Sequence, residues 1–109
     1  MVAVLDQQMV IEEIEQGMAL VEKAEAWIVA NRNAWAWMNH QAATYASQGR
    51  RFSIGRLAED CRYEMRLQGV DEFNLNNDIR AVLARKMLKA HPEWGEFMSI
   101  RSSKADGLV

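Results

Sequence analysis

Residues 73–94 read FNLNNDIRAVLARKMLKAHPEW, and this stretch decides the fold. Asn76 or Asn77 can accept a hydrogen bond from a free backbone N–H and so open a helix. Behind them Ile79, Val82, Leu83, Met87 and Ala90 recur at helical spacing as one apolar stripe. Arg80, Arg85, Lys86 and Lys89 are expected to project from the other side. That cationic face suits a phosphate backbone as well as open solvent. The apolar stripe needs covering, so the expected fold is mainly α, with about four helices in one domain spanning 1–109.

Working outward, 50% of the residues are hydrophobic and Pro92 is the single proline, a composition that favours helices over a sheet-rich or loop-rich chain. The formal charge of -2 hides an asymmetry. Residues 1–48 carry a net of -4 and residues 49–109 a net of +2, so the basic half is the one that holds the deciding helix. This balance excludes a strongly basic architectural protein and a strongly acidic DNA mimic. Cys61 is the only cysteine, which rules out an intrachain disulfide and fits a reducing compartment. Asp6, Glu12, Glu13 and Glu15 interrupt the N-terminal apolar residues, so neither a signal peptide nor a membrane span is read, and a cytoplasmic protein is expected.

Upstream, residues 5–30 give a long helical pattern, with Val10, Ile14, Met18, Val21 and Ile28 on one stripe that Leu20, Ala24 and Trp27 widen. At 1.5 Å per residue such a helix is about 38 Å long, more than a domain of this size needs, and a homodimer through it is expected. Gly17 marks either a bend, a close approach or a tolerated residue. A helical core spans 33–98. Its first helix opens at Asn33 as cap and closes at Gly49. Trp35 and Trp37 point about 160° apart on it, so either both sides are buried in a small bundle or one tryptophan anchors a partner. Arg50 and Arg51 then precede Phe52, and Ser53 caps a helix over 54–68 that buries Ile54, Leu57, Ala58, Cys61 and Met65 and ends at Gly69.

The link over residues 70–75 is longer than a tight helix-turn-helix turn. Phe97 to Ile100 read as a short strand that pairs near Phe52 or Phe73, and 99–109 as a basic tail with Arg101 and Lys104. Two helices followed by a strand and basic residues are compatible with a helix-turn-helix or winged-helix-like C-terminal half.

As a set, Phe52-Ser53, Arg62-Tyr63-Glu64, Phe73 with Asn76-Asn77, Ala84-Arg85, His91-Pro92-Glu93 and Arg101 with Ser103-Lys104 resemble a group of small proteins from phage and prophage genomes. The likeness covers residues 33–106 and implies a phage-type origin, a bacterial host cell, a common fold and a helix-turn-helix reading. The chain departs from the pattern in its added N-terminal helix and at Leu75, where the pattern carries a basic or small polar side chain.

Catalysis is not expected. His40 and His91 are separated by two predicted helices, Cys61 lies on an apolar face, and no metal-ligand spacing or glycine-rich phosphate loop occurs, so no cofactor or metal is expected. Two functions stand side by side. In the first, the protein is a DNA-binding module using Arg50, Arg51, Asn76, Asn77, Arg80, Arg85, Lys86, Lys89, Arg101 and Lys104. In the second, it is a protein-binding inhibitor of a host system, such as an anti-CRISPR, using Trp35 or Trp37 and the acidic first helix.

Overall fold

The computed structural model describes residues 2–70, 72–100 and 108, with residues 2–10 described as backbone only. The chain is mainly helical: α1 (Val2–Ala30), α2 (Arg32–Ser47), α3 (Ile54–Leu67) and α4 (Asn77–Ala90), with a 3-10 helix at Pro92–Glu96. Two short strands complete it, β1 (Phe52–Ser53) and β2 (Met98–Ser99). They pair in parallel, Phe52 with Met98 and Ser53 with Ser99, so the expected strand near Phe97 does meet the Phe52 region.

Each boundary has a local cause. Ser53 sits extended before α3 and its Oγ accepts the Arg56 N–H at 3.2 Å. Gly49 and Gly69 follow α2 and α3 at φ 65° and 82°, a left-handed geometry that glycine adopts without steric cost. Asn33 lies inside α2 and is not its cap. The cap position is Asn31, whose side chain turns back to donate to the Trp27 carbonyl at 2.9 Å. Asn76 holds the cap position of α4, but its side chain makes no capping bond. The run through Gly17 is uninterrupted helix.

The core forms where α2, α3 and α4 meet under the C-terminal part of α1. Met38, Leu57, Cys61, Val82, Leu83 and Met87 are fully buried, and Ala24, Ala34, Ala42, Ala58 and Ala84 let the helix backbones approach. Of the stripe expected on α4, Ile79, Val82, Leu83 and Met87 are buried, whereas Ala90 is exposed at the helix end. Leu75 is 3% exposed and supplies the core with a side chain from the segment before α4. Aromatic rings close the ends of the core. Trp27 meets Trp35 and Phe73 edge-on at 6.4 and 6.2 Å, and Phe52 stacks on Tyr45 at 5.8 Å and meets Trp94 edge-on at 6.2 Å.

α3 ends at Leu67 and α4 opens at Asn77, a longer separation than a short turn, and the strand pair is parallel. Neither feature makes a helix-turn-helix with a hairpin wing. The shape is drawn out. The radius of gyration is 15.9 Å, against roughly 13 Å for a compact chain of this length.

Candidate nucleic-acid interface

The β1–β2 pair brings the start of α3 beside the start of α4. Between them lies an open cleft of about 650 Å³, lined by Ser53, Ile54 and Gly55 from one side, Asn77, Asp78, Arg80, Ala81 and Ala84 from the other, and Ser99 and Ile100 below. A second recess of about 370 Å³ adjoins it, lined by Tyr45, Arg50, Arg51, Phe52, Ser53, Arg56 and Ser99. Ser53 and Ser99 belong to both, so the two form one continuous path around the strand pair.

Arg80 commands the first recess. It is half-buried and does not stand out from α4 as the helical pattern predicts, because the start of α3 packs against it. Its Nη2 donates to the Leu75 carbonyl at 3.4 Å, a long contact, and its Nε is buried without a hydrogen-bond partner. The same space receives the first turns of two helices, whose leading N–H groups carry partial positive charge. On α4 those groups lack a cap from Asn76, and the Asp78 carboxylate, which also lines the cleft, pairs with Lys23 of α1.

In the second recess Arg50 and Arg51 are exposed, and the Arg50 guanidinium lies 5.5 Å over the Tyr45 ring. Arg56 is held differently. Its Nε donates to the Tyr45 hydroxyl at 3.2 Å and pairs with Asp60 at 3.2 Å, and the hydroxyl in turn donates to Asp60 at 2.7 Å. The Tyr45 hydrogen bond, with the Asp60 charge behind it, raises the Arg56 pKa above its ordinary value. Tyr45, Arg56 and Asp60 are thus tied together beside two exposed arginines.

The remaining cations go elsewhere. At 100° per residue Lys89 lies half a turn around α4 from Arg80. Lys86 and Lys89 line a separate recess with Ile28, Trp35, Asn39 and Ala90, and Lys86 pairs with Glu25 of α1 at 3.3 Å. The expectation of one cationic face along α4 is therefore corrected, because α1 packs across that helix and splits its charges. Arg85 is half-buried and lines neither recess of the strand pair. Arg101 and Lys104 lie outside the described residues. Asn77 lines the cleft, and Asn76 is exposed at its edge of α4.

No protein-family model, curated protein or solved structure matches the chain. The site must be read from its own geometry. Trp35 and Trp37 both pack partly against the core, which is the two-sided burial the sequence allows. His91 ends α4, its N–H donating to the Met87 carbonyl at 2.8 Å and its ring stacked 4.0 Å from Trp94. Among the described residues no group of three or more His, Cys, Asp or Glu side chains is placed to hold a metal. Among the described residues no helix is long and apolar enough to cross a membrane.

Ser53 is conspicuous in the sequence as a cap, whereas nothing local singles out Arg56. Their role as walls of a recess depends on β2 arriving from 45 residues away, which no local pattern announces.

Proposed function

We propose that this is a small, non-enzymatic, phage-type protein that binds nucleic acid by its phosphates along the path around Ser53 and Ser99. Arg50 and Arg51 supply exposed charge at the rim, Arg80 a half-buried guanidinium in the cleft, and the uncapped start of α4 a set of backbone donors. The observation that carries the reading is Arg80, whose guanidinium lines the cleft beside two helix starts and whose buried Nε has no partner among the described residues. A phosphate oxygen is the kind of acceptor that such a group lacks. Lys86 and Lys89 have no part in this reading.

The net charge of -2 and the few arginines involved set the strength. With about three phosphates contacted, the logarithm of the binding constant falls by about 2 to 3 for each tenfold rise in salt. Fluorescence anisotropy with labelled single-stranded and duplex oligonucleotides at low salt tests it. Binding weakened by Arg51→Ala and Arg80→Ala but not by Lys89→Ala supports the reading, and no anisotropy change at tens of micromolar protein removes it. The host-protein inhibitor reading has less support, since Trp35 and Trp37 are both partly buried against the core.

A further inference from the structure

The cleft of the proposed phosphate path contains an acid. Asp78 lines it together with Arg80, and it belongs to the first turn of α4, whose backbone donors face the same ligand. A bare carboxylate in that place repels an incoming phosphate oxygen and competes with it for the same positive charge. The side chain that offsets it comes from α1. Lys23 pairs with the Asp78 carboxylate from 55 positions upstream, and it lines neither recess of the path. Packing fixes its place. Ala24, the next residue, is fully buried, and Trp27 donates its indole N–H to the Asn74 carbonyl at 2.8 Å, just ahead of α4. A second ion pair, Glu25 with Lys86 at 3.3 Å, ties the same two helices farther along α4, where Lys86 lines a separate recess.

We infer that Lys23 is a positioning residue of the phosphate site: by holding the Asp78 carboxylate in an ion pair, it lowers the negative charge presented to the cleft and raises affinity without touching the ligand. The inference rests on the nucleic-acid reading and extends the site to a helix that contributes nothing to its lining. Both side chains are about half exposed, at 49% and 44%, so solvent screens the pair and the effect on binding is severalfold. The two ion pairs between α1 and α4 thus have different consequences. Lys23 with Asp78 acts on the ligand, whereas Glu25 with Lys86 only joins the helices.

Anisotropy of a labelled single-stranded DNA oligonucleotide at low salt, measured on the full chain, tests this. Lys23→Gln is expected to weaken binding about two- to fivefold. Adding Asp78→Asn to that chain is expected to bring affinity back to the parent value or above it. A merely structural tie predicts no such recovery, because Asp78→Asn breaks the same pair. Glu25→Gln, which removes the other tie between these helices, is expected to bind as the parent does. Parent-like affinity for Lys23→Gln, a double variant no tighter than Lys23→Gln, or a Glu25→Gln chain weakened as much as Lys23→Gln would each overturn the inference while leaving the nucleic-acid reading in place. A parent chain that does not bind the oligonucleotide at all removes both.

Discussion

Ser53 and Ser99 sit in register across the parallel strand pair, and each lines both recesses of the proposed phosphate path. The site therefore depends on a two-residue ladder that fastens the C-terminal segment to the front of α3. Phe52 anchors the ladder from beneath: it is 4% exposed, lies between Tyr45 and Trp94, and donates its N–H to the Phe97 carbonyl at 2.9 Å.

Phe52→Ala is accordingly expected to cost about 3–5 kcal/mol of unfolding free energy, read from urea denaturation followed by circular dichroism. It should also detach the C-terminal segment and abolish oligonucleotide binding at concentrations where the protein remains folded.

Gly55→Ala separates stability from binding. An added Cβ meets Arg80 Nη1 at 3.7 Å and Ser53 Oγ at 3.8 Å, ordinary contact distances, inside a helix where alanine is the better former. Unfolding free energy should rise by about 0.4–1 kcal/mol. The methyl group narrows the approach to Arg80, so affinity for an oligonucleotide should fall severalfold. Thermal melting and anisotropy measured on the same variant check both halves.

Tyr45→Phe removes the hydroxyl that accepts from Arg56 and donates to Asp60. Asp60 keeps its pairing with Arg56, so the loss should be about 1 kcal/mol in chemical denaturation. Binding should change less than twofold, because Arg50 and Arg51 are untouched.

Cys61 makes stability depend on pH in the alkaline range. Burial, with the Glu64 charge adding to it, pushes its thiol from 9.0 up to about 11. The sign follows from which state loses its proton first. Below pH 9 the thiol is protonated in both states and its contribution is constant; above it the unfolded chain ionises while the folded one does not. Stability should then fall by up to about 1.4 kcal/mol per pH unit until the folded thiol also titrates. The difference between parent and Cys61→Ala unfolding free energies at pH 8 and pH 10.5 isolates this slope from lysine and tyrosine titration. A difference that stays constant over that range would contradict it.

The sequence reveals those features whose causes are local. The Ser53 cap, the left-handed glycines after α2 and α3, the stripe of α4 and the strand near Phe97 all follow from side-chain chemistry within a few residues. What it conceals is which helix crosses which. The cations of α4 read as one surface because nothing near them indicates that α1 will cross that helix, pairing Lys23 with Asp78 and Glu25 with Lys86. Arg80 reads as solvated for the same reason: its half-burial comes from the start of α3, where Gly55 lies 25 residues upstream. Asn31 replaces Asn33 at the start of α2 because α1 runs to Ala30 and leaves a single residue for the turn.

The central claim is that the arginines around Ser53 and Ser99 engage phosphates, and a salt titration of oligonucleotide binding tests it most directly. For the parent chain the account predicts a linear fall of log affinity with log salt, with a slope of about -2 to -3. Arg51→Ala and Arg80→Ala should each reduce that slope by about 1, and Lys89→Ala should leave it unchanged. A slope that all three variants share with the parent, or that only Lys89→Ala alters, would contradict the account.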